Sequence, residues 1–227
     1  ANNEFEIGIT ALVFGQNSLY LEGENQTSVV PLLDVYWGDF FVSQGNIGYT
    51  FVDNPNFSIS AGLNHGFMAD IDRGDSPRLK DMKKLNESVN AFIETKLKQS
   101  WGNISFTYLA DISDEHDGDL YSINFEKEFI TGNWFYTPSI SATLSDEQIV
   151  NYFYGVTKQE TLPDRPSYTA DSSWSISATM LFGYAFDHHN TVFAFVSGSW
   201  FDKQVDDSPI TESDHLVSLG VGYQYWF

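Results

Sequence analysis

Large apolar residues recur at every second position along most of this chain. In the last segment Val217, Leu219, Val221, Tyr223, Tyr225 and Phe227 share one face, and Ser218, Gly220, Gly222, Gln224 and Trp226 share the other. Residues 173–186 repeat the theme, with Trp174, Ile176, Ala178, Met180, Phe182, Tyr184 and Phe186 set against mostly serine, threonine and glycine. Residues 4–14, 57–64, 103–112 and 133–144 follow the same rule. A period of two is the strand period, because successive side chains point to opposite faces. Such segments fall at 4–14, 27–37, 40–52, 57–66, 87–98, 102–112, 119–130, 133–144, 148–156, 173–186, 191–201 and 214–227. That is about 19 residues per unit, enough for a membrane strand of about 9–11 residues and a connector. Several connectors carry turn chemistry: Trp37-Gly38-Asp39, Asp53-Asn54-Pro55-Asn56, Thr131-Gly132-Asn133 and Asp187-His188-His189-Asn190. Only residues 78–86 suggest a turn of helix.

Alternation also suits a soluble sandwich, so the two faces must separate the cases. Aromatics sit near segment ends on the apolar face: Trp134, Trp174, Phe186, Tyr121, Phe129, Tyr225 and Phe227. That is the girdle pattern of a membrane barrel. The opposite face is small and polar with scattered charge. Glu94, Lys96, Glu126 and Glu128 fall on it and read as lumen residues. Phe92, Phe135, Leu181 and Trp226 fall there too and are expected to obstruct the lumen. Lys127 falls among apolar residues, close enough to a segment end to snorkel. The expected fold is all-β, a single domain over 1–227: a closed antiparallel transmembrane β-barrel of about 12 strands.

Composition narrows the partners. With 11 basic and 31 acidic residues the net charge is −20, which repels phosphate backbones and makes nucleic acid an unsuitable partner. No cysteine is present, so thiolate metal sites and disulfides are excluded. A mean hydropathy of −0.25 beside 16% aromatics fits sheets with one apolar and one polar face. No apolar run is long enough for a membrane helix. The N-terminal ANNEFEIG lacks a basic and an apolar leader region and reads as a mature end left by signal cleavage.

Three stretches then carry a resemblance. NYFYGVTKQET (151–161), followed by Arg165-Pro166-Ser167-Tyr168, resembles the tyrosine-rich segment of the MipA/OmpV family. DDSPIT (206–211) is similar to that family's late loop, and VVPLLDVYWGDFFVS (29–43) with IGYTF (47–51) to its early hairpin. The final stripe Tyr223, Tyr225 and Phe227 resembles the terminal strand signal by which bacterial outer-membrane barrels are recognised for assembly. The resemblance implies an outer-membrane location, contact with lipid and lipopolysaccharide, and a non-enzymatic scaffold or adhesion role. In one branch the partner is a murein-degrading lytic transglycosylase. It implies no catalytic residues and no cofactor.

The residues themselves offer little catalytic chemistry. His188 and His189 sit in a tight turn beside Asp187, and His116 sits in DISDEHDGD (111–119). In that stretch Asp111, Asp114, Glu115, Asp117 and Asp119 are candidate oxygen ligands for Ca²⁺ or another divalent cation. Their spacing does not match an EF-hand, and a solvated acidic turn is the plainer reading. Asp70, Asp72 and Asp75, and Asp202, Asp206 and Asp207, form lesser acidic groups, where cations would bridge to lipopolysaccharide. A narrow cation-preferring channel is the alternative to a scaffold. Counting strands from a periplasmic start makes 15–26, 157–172 and 202–213 outer loops and 67–86 an unusually large periplasmic connector, unless the strand count near 40–52 is off by one. Its Arg73, Arg78, Lys80, Lys83 and Lys84 are then a docking site for a cell-wall partner, or merely solvated charges.

Overall fold

The computed structural model describes residues 5–65 and 73–227. Its strands are β1 (Phe5–Gln16), β2 (Gln26–Trp37), β3 (Phe40–Ser43), β4 (Asn46–Asp53), β5 (Phe57–His65), β6 (Val89–Gln99) and β7 (Gly102–Asp111). They continue as β8 (Asp119–Glu126), β9 (Phe129–Thr131), β10 (Trp134–Ser145), β11 (Ser173–Ala185), β12 (Asn190–Phe201) and β13 (His215–Trp226). All pairings are antiparallel and join sequence neighbours, save that β8 and β9 both pair with β10, and β1 joins β13, which closes the ring. Ile9 thus lies opposite Leu33 on one side and Tyr225 on the other. Closure is what lets a sheet stand in hydrocarbon, since no edge is left unpaired for lipid to meet.

β8 and β9 are two parts of one wall strand. Glu126 pairs with Ser139 and Phe129 with Tyr136, so the register passes through unchanged. The ladder lapses opposite Pro138, whose carbonyl accepts from Lys127 N at 3.2 Å but which has no N–H to return. The wall therefore has 12 strands.

The expected number of strands is met by two offsetting differences. Residues 40–52 hold two strands, because Gln44 (φ 52°) and Gly45 (φ 81°) turn the chain in a hairpin between them. Residues 148–156 form no strand. Asp146 accepts from Ile149 N at 3.0 Å and caps helix α1 (Glu147–Tyr154), which turns Val150 inward. A second, one-turn helix, α2 (Lys203–Asp206), is capped the same way by Asp202.

Both β1 and β13 meet the short turns 38–39, 54–56, 100–101, 132–133 and 186–189 at one end of the barrel. The connectors 17–25, 112–118, 146–172 and 202–214, and that between β5 and β6, gather at the other, toward which the two-residue turn 44–45 also points. Short turns mark the periplasmic end and long loops the outer end. The β5–β6 connector, with Arg73, Arg78, Lys80, Lys83 and Lys84, is therefore an outer loop and not a periplasmic one. The error came from the strand count: splitting 40–52 reverses the side of the connector that follows β5.

Outward side chains are apolar and exposed, as with Val29 at 72% and Leu219 at 62%. Aromatic pairs ring the short-turn end: Phe40–Tyr49, Trp134–Tyr184 and Tyr225–Phe227, with centroids 4.8, 4.8 and 5.0 Å apart. Lys127 holds its Nζ 5.2 Å from the Phe129 ring near that end, where a charge on the lipid face costs little. Inward, hydroxyl rungs cross the strands, among them Ser177–Ser199 and Thr179–Ser197 at 2.7 Å each.

Five large inward aromatics lie over a glycine directly across the ladder. Phe41 faces Gly48, Phe135 faces Gly183, Phe193 faces Gly222, Phe195 faces Gly220 and Trp226 faces Gly8. A Cβ on any of these glycines would come under 3.0 Å from the ring. Phe135 and Trp226 are thereby held against the wall and do not stand across the lumen as expected. Gly183→Val should destabilise the barrel by about 1–3 kcal/mol, the usual cost of overpacking. Lipid-facing Ala178→Val should be near neutral, and urea midpoints of unfolding in detergent compare the two.

Candidate functional site

The buried hydrophobic side chains lie mostly in the outer loops and not in the strands. Tyr20, Leu79, Met82, Leu85, Val156 and Ile210 form one cluster, with Tyr152, Phe153, Tyr154 and Tyr168 packed on it. Val150, Ala170 and Val205 form a second beside it. Four connectors thus fold into a cap with its own core over the outer mouth. Ile210 is 0% exposed, so truncating it would cost the cap about 2–5 kcal/mol.

Backbone bonds stitch the cap. Leu21 N donates to Ile210 O and Glu212 N to Leu19 O, both at 2.9 Å, joining the first and last outer loops. Val156 and Tyr168 exchange both bonds at 3.0 Å. Tyrosine hydroxyls bridge farther: Tyr20 to Phe153 O at 3.1 Å, Tyr168 to Gln204 O at 2.9 Å and Tyr152 to Asn86 O at 3.1 Å. Ser208 Oγ donates to Tyr154 O at 2.6 Å. The stretches that carried the family resemblance, 151–168 and 206–211, are thus cap residues.

Buried arginines lock the cap. Arg165, 4% exposed, reaches Asp81 through two bonds of 3.0 and 2.6 Å, and also donates to Arg78 O and Glu160 O at 2.9 Å. Arg73 donates from Nε to Lys83 O at 3.0 Å and lies 3.7 Å from Glu160. Arg78 pairs with Asp164 and Glu22. Arg73 and Arg78 of the expected docking set are therefore occupied within the cap. Lys83 lies 5.9 Å over the Tyr152 ring, and Lys80 and Lys84 are exposed.

The acidic stretch serves the loop and not a common ion. Asp111 accepts from Ser113 Oγ and from the backbone N–H of Ser113, Glu115, His116 and Asp117, all within 3.0 Å. Glu115 turns to Asn86 and Tyr152, and Asp119 accepts from Tyr108. The described residues hold no group of three or more such side chains placed to share a metal, so Asp111, Asp114, Glu115, Asp117 and Asp119 are not brought together as a Ca²⁺ site. Asp70 and Asp72 lie outside the described residues.

The lumen residues face as the alternation predicts. Lys96 Nζ is 3.2 Å from Glu126 Oε1, and Glu94 accepts from Thr107 Oγ1 at 3.3 Å. Glu128 lies lower, in a hollow of about 410 Å³ between the turns 132–133 and 186–189, with Asp187 and His188 on its rim. Tyr223, Tyr225 and Phe227 face outward at the same end, and Phe227 N donates to Ile7 O at 3.0 Å. For an assembly signal the expected result is that Phe227→Ser lowers outer-membrane yield in cells, while protein refolded in detergent keeps its heat-modifiable gel shift.

The cap should loosen in acid. The Arg165 bonds hold the Asp81 carboxyl below its ordinary value of 3.8. Burial pushes Glu160 up, but donation from Lys83 N, Thr157 Oγ1 and Thr157 N outweighs it and holds Glu160 below 4.5. A carboxylate depressed in the folded state stabilises it fully above the ordinary value and ceases to as pH falls through the depressed one. Hydrogen exchange in 79–85 and 156–168 should therefore be protected above pH about 4.5 and rise as pH drops below 3.8, relative to each amide's intrinsic rate. Arg165→Gln should remove most of that dependence.

The chain is similar to known proteins over nearly its whole length. The family model described as MltA-interacting protein MipA matches residues 7–227. The putative outer membrane protein YiaT of Escherichia coli K12 is 21% identical over 226 residues, covering 98% of this chain and 91% of that protein. The MltA-interacting protein of the same organism is 22% identical over 212 residues, covering 91% and 85%. Among solved structures, OmpT, an outer membrane protein of Vibrio cholerae, aligns over 99% of this chain and 97% of that one at 6% identity, with a TM-score of 0.43.

Proposed function

Because the chain belongs to the MipA family of outer-membrane barrels, we propose that it is a non-enzymatic anchor that holds a cell-wall enzyme at the periplasmic face. The observation that supports this reading is the cap: the outer mouth is filled by a packed core, which suits an anchor better than an open pore. The partner reading draws on the relative named MltA-interacting protein. Since the outer loops pack on one another, the docking surface is assigned to the short-turn end, at the hollow between turns 132–133 and 186–189. Capture of a lytic transglycosylase by the full-length barrel tests it. Lys83→Glu with Lys84→Glu should leave capture unchanged, and Asn133→Arg with His188→Asp should weaken it at least tenfold. The opposite ranking, or no capture at all, would overturn the assignment.

The second reading, a narrow cation path, is favoured by the aromatic–glycine pairs, which keep bulk against the wall, and by lumen carboxylates at Glu94 and Glu126. In planar bilayers the capped barrel should be silent, while Ile210→Asp, which breaks the cap core, should give cation-preferring steps. Steps of equal size from the unaltered protein would favour the channel.

A further inference from the structure

Directly beneath the cap the lumen changes character. Lower down its walls carry hydroxyl rungs such as Ser177–Ser199. At the outer ends of the strands they carry Leu120, Phe201 and Leu216, all at inward positions. Val150 and Phe153 of α1 and Val205 of α2 form the roof, and Val150 and Val205 are each 1% exposed. With Gln16, Ser145, Ser173 and Ser175 on the walls, these line a half-open and mainly apolar cavity of about 220 Å³.

Unfilled apolar space costs stability, because the lining atoms lose dispersion partners. An apolar cavity of about 150 Å³ is known to take up benzene, so this one has room for a slightly larger guest. Two polar groups set its chemistry. Ser145 and Ser175 line the cavity and make no side-chain hydrogen bond among the described residues. Ser173 beside them is already committed to Asp202 at 2.7 Å. Gln16, the other polar side chain of the lining, donates to Gln26 at 3.1 Å, so the two free hydroxyls are the donor–acceptor anchors in a mainly apolar box.

We infer that this chamber is a binding site for a small apolar molecule bearing one hydroxyl, of the phenol or short alkanol class. The apolar part sits between Phe153, Phe201 and Leu216, and the hydroxyl meets Ser145 or Ser175. The site depends on the cap alone and stands whether or not a periplasmic partner binds.

The test is a titration of the full-length barrel in lipid nanodiscs with 4-fluorophenol, read by ¹⁹F NMR. A saturable bound signal is expected for the unaltered protein. Ser175→Phe, which fills the chamber, should weaken it at least tenfold. Ser145→Ala with Ser175→Ala should weaken 4-fluorophenol severalfold while fluorobenzene binds as before. Should Ser175→Phe fail the heat-modifiability test of folding, Leu216→Trp fills the same space from the opposite wall. A signal that does not saturate, or that is unchanged in a folded filled variant, is partition into lipid and overturns the site.

Discussion

The ladder between β1 and β13 is the interaction on which the rest of the molecule depends. Without it two strand edges would face hydrocarbon, where an unpaired N–H or C=O costs several kcal/mol. With it every wall strand has two neighbours, and alternate side chains are sorted to lipid or lumen, with one register shift at Thr50–Val52. The lipid face can then be apolar, with Lys127 near the short-turn end the charge it carries. The inner face must instead fit a ring of fixed girth, and five of its bulky rings do so by lying over a glycine across the ladder. Gly220 and Gly222 of the final strand serve Phe195 and Phe193 in this way, so the small residues of that strand are as constrained as its aromatics.

A barrel wall has no conventional core, and this chain builds one in its loops. Leu79, Tyr20, Val150, Val205 and Ile210 are the most buried large side chains, and all stand outside the strands. The cap they form is held by polar contacts between segments far apart in sequence, such as Arg165 with Asp81 and Tyr20 with Phe153. Such a cap closes the outer mouth while leaving the wall intact. It also separates two environments, an outer acidic surface and a lumen that is apolar at the top and hydroxyl-lined below.

Much of the barrel was legible in the sequence because a period of two is read locally. β10, β11 and β13 stand where the alternation puts them, and the lumen positions of Glu94, Lys96 and Glu126 follow from the same parity. The failures share one cause, which is that local pattern does not report the turn or cap that overrides it. Gln44-Gly45 splits what reads as one strand, and the Asp146 cap makes a helix of QIVNYFY. The first of these reversed the side of the loop after β5. The cap itself was hidden, since its contacts join residues more than 60 positions apart, as in Asn86 with Tyr152. Its signal lay in the tyrosine-rich 151–168 and in DDSPIT, which resembled a family without revealing that they pack together. The acidic run 111–119 left a cation site open beside the plainer reading of an acidic turn, because composition alone does not show that Asp111 is already saturated by its own loop.

The central claim is that the loop after β5 belongs to a cap on the outside of the cell. The chain has no cysteine, so a single introduced thiol reports its own side without background. Lys80→Cys lies on the exposed surface of the cap, and Asn133→Cys on a turn at the opposite end. With a membrane-impermeant maleimide on intact cells, the account predicts labelling of Lys80→Cys and none of Asn133→Cys until the periplasm is opened. Labelling of Asn133→Cys in intact cells, with Lys80→Cys protected until the periplasm is opened, would contradict it.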